Sequence, residues 1–365
     1  MKPRLEHIPG PPGACGRAHG VNIRDLVEPA FLRTYIQTLA RVIGFEPGTL
    51  RAQGQAWLSG LPEHFAAEIE AMAHGAGVEL GAMVDLLFAD IASPDRSSPP
   101  SGPMCSAIVS MLGDGRRWIG RNCDWLTPTL TRGVSAVVHE IPNRIPIMAV
   151  GIRGDIDLDT GLNAEGLWIH LHTLHATDPV PPGVLCISWL FWAREALETC
   201  ASLDDLERFI ETTARDRGVM VIASEGGSGD AAVFECSRGS YTRHDADARS
   251  PLCVTNHSLR QRSRPVAIGS PNASGTLSRR RTLQHLLEAS PPSQGPDDII
   301  ASLGAQGVEM RTPRWLRTIY SAVADTRSQK VWFAAGTPDG RPAASSGKWS
   351  VITPPWAGRH ACVIP

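Results

Sequence analysis

Lysine is almost missing from this chain: among 365 residues it stands only at Lys2, Lys330 and Lys348. The remaining positive charge is arginine, with no basic run long enough to read as a binding tail, and the formal net charge is −2. That balance excludes the electrostatic footprint of a nucleic-acid or anionic-membrane binder. No stretch approaches the roughly 20 apolar residues that span a bilayer. The opening Met1-Lys2-Pro3-Arg4-Leu5-Glu6-His7-Ile8-Pro9-Gly10 lacks the apolar core of a signal peptide, so the expected location is the cytoplasm. None of the eight cysteines falls in a CxxC pair, which argues against a zinc knuckle or dithiol motif. In a reducing compartment most are expected to pack as small buried hydrophobes. What is present is an ordinary globular composition, 42% hydrophobic and 20% charged, enough for one large or two smaller domains.

Residues 22–92 read as helical. Asn22 is placed to cap a first helix through Leu26, Phe31, Tyr35, Leu39 and Val42, with Pro29 kinking or restarting it. Pro62 suits the first turn of a second helix carrying Phe65, Ile69 and Met72, which Gly75 and Gly77 close. Met83, Leu86, Leu87 and Ile91 mark a third. A Pro/Ser/Gly linker follows at 93–103 and is expected to be accessible, as a processing site must be. Beyond it the pattern predicts strands at 105–111, 117–121, 134–141, 147–153, 167–174, 219–224, 231–236, 252–256, 318–325 and 331–335. Helices are expected at about 186–200, 203–216 and 278–289. Strand runs separated by helix pairs predict two layered, mostly antiparallel sheets with helices outside, not a doubly wound parallel sheet.

The chemistry centres on Cys105, which opens an apolar strand in Pro103-Met104-Cys105-Ser106-Ala107-Ile108-Val109. A thiol, with a free pKa of about 8.5, needs a base or a positive neighbour to become a nucleophile. A chain-terminal α-amine titrates at about 7.7–8.0 and can be that base. An internal cysteine creates such an amine by attacking the preceding carbonyl, here that of Met104, to give a thioester that water hydrolyses. The next strand ends in Gly120-Arg121-Asn122-Cys123-Asp124-Trp125. Arg121 is placed to hold a thiolate or a polar substrate end, and Asp124 to orient the new ammonium.

Cys105-Ser106 followed by Gly120-Arg121-Asn122-x-Asp124-Trp125 resembles the linear amide C–N hydrolases of the N-terminal nucleophile superfamily, which include choloylglycine (bile salt) hydrolases and acyl-coenzyme A:6-aminopenicillanate acyltransferases. Further segments resemble the acyltransferase branch: Gly16-Arg17-Ala18-His19-Gly20, the helix Phe65–Ala76, the turn Asn163-Ala164-Glu165-Gly166, Val254-Thr255-Asn256-His257, Thr318-Ile319-Tyr320-Ser321 and Ala335-Gly336-Thr337-Pro338. The resemblance implies a four-layer αββα sandwich of the α+β class. Residues 1–104 would form a mostly helical pro-segment with its linker at 93–104, and residues 105–365 the catalytic part. Self-cleavage at Met104/Cys105 would leave two subunits from one precursor, able to assemble further. It implies Cys105 as nucleophile, Asp124 as support for the amine, Asn256 as an oxyanion-hole donor, Arg279 in the substrate pocket and Ser237 as a self-processing serine.

Two departures from the family pattern stand out. Met104 occupies the position before the nucleophile where the branch usually has glycine, and the strand after Asn163 carries His170 and His172 where relatives often have asparagine. Strand alternation puts both histidines on one face, where one can supply the missing donor. The run His170-x-His172-x-x-His175 also supports a rival, a zinc hydrolase completed by Asp155, Asp157 or Asp159. A binding or regulatory relative that never processes is a third reading. The favoured one is an amide hydrolase or acyltransferase working through a Cys105 thioester, with no cofactor and no metal. Its substrate is a small amide or acyl compound, acyl-coenzyme A among the donors. Trp168, Trp189 and Trp192 supply apolar surface for an acyl or aromatic group, with core packing the favoured role for each.

Overall fold

The computed structural model describes residues 4–91, 104–111, 117–174, 176, 178–247, 251–259, 275–289, 295–311, 315–337, 339–346 and 348–357. The linker at 93–103, His175 and Pro338 lie outside them. In chain order the strands begin with β1 (Arg4–Pro9), β2 (Met104–Met111), β3 (Arg117–Leu126), β4 (Val134–Glu140), β5 (Ile147–Ile152), β6 (Thr160–Asn163), β7 (Leu167–Leu174) and β8 (Cys186–Ile187). They continue with β9 (Ala214–Arg215), β10 (Gly218–Glu225), β11 (Ala231–Cys236), β12 (Tyr241–Asp245), β13 (Leu252–Val254), β14 (Leu316–Asp325), β15 (Lys330–Ala335) and β16 (Trp349–Ile352). The helices are α1 (Pro12–Asn22), α2 (Pro29–Ile43), α3 (Pro47–Ser59), α4 (Glu63–Ala76), α5 (Leu80–Ala89), α6 (Trp189–Thr199), α7 (Leu203–Thr212), α8 (Thr276–Ala289) and α9 (Pro296–Leu303).

One sheet has the order β1-β4-β5-β6-β7-β10-β11-β12 and the other β13-β2-β3-β14-β15-β16. Every pair in them is antiparallel except β1 with β4. Side-chain alternation sorts the residues into layers. Ala107, Val109, Ile119 and Cys123 of the smaller sheet pack with Val138, Val150, Trp168, Met220 and Ile222 of the larger, forming the core between the sheets. The alternate residues Leu167, Ile169 and Leu171 pack outward against the helices that include α4, α5 and α6. Ile108, Trp118 and Val323 pack outward against Leu283 of α8 and Ile299 and Leu303 of α9. The result is the expected αββα sandwich.

Strand positions agree closely with the sequence reading, and β3 runs on to Leu126, so that Asp124 lies within the ladder. Asn22 does not open a helix; it ends α1, and the following helix starts at Pro29, whose missing N–H is tolerated in a first turn. The segment before Cys105 also contributes β1 to the edge of the larger sheet. The polar edge strand β12 went unseen because Tyr241-Thr242-Arg243-His244-Asp245 has no apolar alternation.

Helix α1 was hidden for another reason. Pro12-Gly13-Ala14-Cys15-Gly16-Arg17-Ala18-His19-Gly20-Val21-Asn22 is glycine-rich and a poor helix former. Close packing on α4 makes it a helix. A Cβ at Gly20 would sit 2.0 Å from the Met72 carbonyl oxygen, and one at Gly75 2.1 Å from that of Arg17. The Gly-x-x-His-Gly segment is therefore a backbone-to-backbone helix crossing. Gly75→Ala is expected to cost about 1–3 kcal/mol, because the clash is with main chain rather than a movable side chain. A lower urea midpoint at unchanged slope would report it.

Candidate active site

Cys105 shares the inward parity of Ala107 and Val109, so its side chain enters the space between the sheets, 4% exposed. The wholly buried Arg121, two residues before Cys123 on the neighbouring strand, points the same way. Its Nη2 donates to Cys105 Sγ at 3.1 Å. Its Nη1 reaches across to the larger sheet, donating to the Asp159 carbonyl at 2.9 Å and to Thr160 Oγ1 at 2.6 Å, and pairing with Asp159 Oδ1 at 3.0 Å. Arg121 is thus a strut between the sheets with a fixed positive charge against the thiol. Tyr320 lies beneath the guanidinium, 5.3 Å from Cζ to ring centroid, and donates to Asp159 Oδ2 at 2.8 Å.

The Cys105 backbone is held from the other side. Its N–H donates to Asn256 Oδ1 at 2.7 Å. Its carbonyl accepts from Arg279 Nη1 at 2.9 Å, and the same nitrogen reaches Ser106 Oγ at 2.9 Å and Asp124 Oδ2 at 3.1 Å. Arg279 Nη2 also donates to Asn256 Oδ1, at 3.3 Å. Asn256 is anchored in turn, its N–H donating to Thr276 Oγ1 at 2.9 Å and its Nδ2 to the Thr173 carbonyl at 3.1 Å. Asp124 accepts a 2.5 Å hydrogen bond from Thr318. Burial raises the Asp124 carboxyl to about 6, with Arg279 and Thr318 holding it from rising further.

A β-bulge makes this arrangement possible. Residues two apart on a regular strand share a face, yet Thr318 serves Asp124 on the outer face and Tyr320 serves Asp159 on the inner one. The register shift between them pairs Thr318 with Asp124 and Tyr320 with Cys123, so Ile319 is the extra residue.

His170 and His172 do share the inner face, their ring centroids 5.3 Å apart. His170 Nδ1 accepts from the Trp168 indole at 2.8 Å, and His172 Nδ1 donates to the Thr255 carbonyl at 3.2 Å. Burial first, and then the Arg121 charge, hold both far below the usual histidine range, so they are neutral. Neither is hydrogen-bonded to Cys105. Among the described residues no group of three or more His, Cys, Asp or Glu has a metal-holding arrangement. Ser237 stands apart, at the β11–β12 turn, where its hydroxyl bonds Asp178 at 2.7 Å and Ser240. Asn163 is a staple of the β6–β7 turn, with Nδ2 on the carbonyls of Leu197 and Cys200 and Oδ1 accepting from Leu167 N.

A cavity of about 640 Å³, counted out to its open mouth, adjoins the cluster. Cys123, Tyr320 and Asp159 line it, with Trp125, Trp189, Leu87 and Ile91 as apolar wall and Asp90, Asp155 and Asp157 as acid wall. Cys105 and Arg121 are not among its lining residues, and both cysteines are buried, Cys105 4% and Cys123 2% exposed. Burial raises Asp155 to about 7, against the opposing charge of Arg132. Of the three candidate tryptophans only Trp189 lines the cavity; Trp168 and Trp192 are core residues with no exposure. Sequence reasoning missed Asp159, Thr160, Thr318 and Tyr320 as partners, and Cys123 as the cavity's sulfur. Tyr320 and Thr318 sat in a segment already noted for its resemblance, but their opposite faces were concealed by the bulge.

The sandwich is the architecture of the N-terminal nucleophile class of amide hydrolases and acyltransferases. Within it, the chain belongs to the acyl-coenzyme A:6-aminopenicillanic acid acyl-transferase family, whose model matches residues 111–340. That match begins beyond Cys105. Similar solved structures include a mutant conjugated bile acid hydrolase from Clostridium perfringens, at 11% identity and TM-score 0.49, covering 68% of this chain and 92% of that one. Penicillin V acylase from Agrobacterium tumefaciens is 17% identical, TM-score 0.47, over 63% and 83%. A Caenorhabditis elegans N-acylethanolamine-hydrolyzing acid amidase ortholog is 14% identical, TM-score 0.47, over 61% and 93%. No curated protein matches the chain. No single helix among the described residues is long and apolar enough to cross a membrane.

Proposed function

We propose that this chain is a cysteine N-terminal nucleophile enzyme that cleaves or transfers the acyl group of linear amides through a Cys105 thioester, after cutting itself between Met104 and Cys105. The observation that carries this reading is the 2.7 Å hydrogen bond from Cys105 N–H to Asn256 Oδ1. The nitrogen that cleavage would release as the α-amine is already held by a buried side chain. In the uncut chain Cys105 Sγ attacks the Met104 carbonyl, the amide nitrogen departs with a proton as the amine, and water hydrolyses the thioester. The freed amine then takes the thiol proton as Sγ attacks substrate. Arg279 ties Asn256, Asp124 and the Cys105 carbonyl into one unit, which positions that amine.

Asn256 has both ends of its amide engaged before cleavage, so its oxyanion role requires Nδ2 to exchange Thr173 for the substrate oxygen. One such donor is typically worth about 2.7–4 kcal/mol in the transition state. The acyl donor is an amide or a thioester such as acyl-coenzyme A, and the acceptor is water or an amine. Intact-mass measurement of the purified protein, alone and after incubation with a panel of acyl amides, tests the proposal. Two fragments divided at Met104/Cys105 and an acyl adduct on Cys105 are expected. A single uncut species with no adduct under any acyl donor would overturn it.

Asp124 gives this chemistry a pH signature. Its carboxyl is raised to about 6, so below that pH it is protonated and loses the charge that orients Arg279 and the new ammonium. Cleavage and turnover are expected to rise as pH passes upward through about 6. Asp124→Asn is expected to be slow at every pH and to lack that limb, as read from rate profiles between pH 4.5 and 8.

A further inference from the structure

Cys123 has no role in the mechanism above, yet it stands directly opposite Cys105 in the β2–β3 ladder. In an antiparallel strand a residue's N–H and C=O point to the same side. Those of Cys105 are taken by Asn256 and Arg279, away from β3. Cys105 and Cys123 are therefore a pair without mutual backbone hydrogen bonds, the closely spaced kind, with Cα atoms about 4.5 Å apart. That separation falls within the roughly 4.4–6.8 Å that a disulfide spans. Both side chains point into the space between the sheets, and both cysteines are free thiols. Cys123 lines the cavity, so a small solute reaches the pair from that side. Its Sγ donates to Asp159 Oδ2 at 3.3 Å, which offers a proton acceptor. Burial, and a hydrogen bond with Cys105, push the Cys123 thiol well up, whereas Cys105 has the Arg121 guanidinium against its sulfur. The cation against the Cys105 sulfur and the carboxylate against that of Cys123 suit the first to be oxidised and the second to resolve.

We propose that Cys105 and Cys123 form a reversible disulfide under peroxide, a modification that caps the nucleophile and protects it from irreversible oxidation. The Cys105 thiolate attacks a peroxide oxygen, giving a sulfenic acid and releasing hydroxide or alkoxide. Cys123 passes its proton to Asp159 and attacks the sulfenic sulfur, expelling hydroxide, which leaves as water with that proton. In sum two thiols and one hydrogen peroxide give one disulfide and two waters. An external dithiol reverses the step by exchange.

The capping consequence rests on Cys105 being the nucleophile; the bridge itself does not, so the test reads them separately. The full chain is treated with hydrogen peroxide and followed by intact mass, peptide mapping and turnover, before and after dithiothreitol. Wild type is expected to lose two hydrogens, to yield a bridged Cys105–Cys123 peptide, and to lose turnover that dithiothreitol restores. Cys123→Ala, with Cys123→Ser as a second variant should the first fail to fold, is expected to form no bridge. Both variants should instead gain two oxygens on Cys105, with a loss of turnover that dithiothreitol does not reverse. Two added oxygens on Cys105 in wild type without a bridged peptide, or a bridge joining another pair, would overturn the proposal. A bridge that leaves turnover untouched would retain the disulfide and remove Cys105 as the nucleophile.

Discussion

Cys105→Ala is expected to give a full-length, uncut protein that forms no acyl adduct and turns over no amide, with the fold retained. The structure explains why the loss is large and the damage small. The hydrogen bonds that seat residue 105 are made by its backbone N–H and carbonyl, and alanine keeps both. The deleted sulfur leaves Arg121 with its partners Asp159 and Thr160, so no buried charge is orphaned. Deleting the nucleophile of a covalent mechanism removes every step through the intermediate, a loss of at least about 10³-fold where the residue acts as one member of a unit. Unchanged near-ultraviolet circular dichroism and urea midpoint, together with absent cleavage and turnover, are the outcome that supports the assignment. Residual turnover near wild type would place the chemistry on another residue.

Arg121→Met is expected to damage both stability and rate, and a second substitution separates the two. The guanidinium is wholly buried and holds the Asp159 carboxylate across the inter-sheet space at 3.0 Å. Removing it leaves that carboxylate, among the described residues, with Tyr320 and Cys123 as donors. Breaking a buried pair from one side typically costs about 3–5 kcal/mol. Asp159 is partly exposed toward the cavity, so the lower end, about 3 kcal/mol, is expected from denaturant unfolding. Turnover is expected to fall by about 10²–10³-fold, the range for losing one fixed donor to developing negative charge. In Arg121→Met/Asp159→Asn the stranded charge is gone, so stability should recover while turnover does not. Recovery of both would make Arg121 a structural strut and nothing more.

The layered architecture was legible because it is written in short-range pattern. Strands such as 167–174 and 231–236 alternate or run apolar over the short lengths typical of a buried strand. The placement of His170 and His172 on one face follows from a period of two and needs no tertiary information. Where local pattern was weak, the reading failed. Glycine-rich α1 depends on α4, polar β12 depends on a neighbour, and Asn22 looked like a cap when seen without either.

The site divides in the same way. Residue type and resemblance put forward Cys105, Arg121, Asp124, Asn256 and Arg279 as candidates, and the fold brings them into one hydrogen-bonded group. Ser237 is not part of that group.

By itself the sequence put forward the candidate residues for the chemistry and most of the strand and helix stretches, since both follow from side-chain type and from spacing over a few residues. Only the tertiary structure decided the partners. Arg121 meets Asp159, Thr318 meets Asp124 and Cys105 faces Cys123 because of sheet register, a bulge at Ile319 and the stacking of one sheet on another. Such contacts join residues far apart in the chain, and a one-residue slip would turn each of these side chains to the opposite face. Local periodicity carries no record of which register is taken; the packing of the whole sandwich selects it.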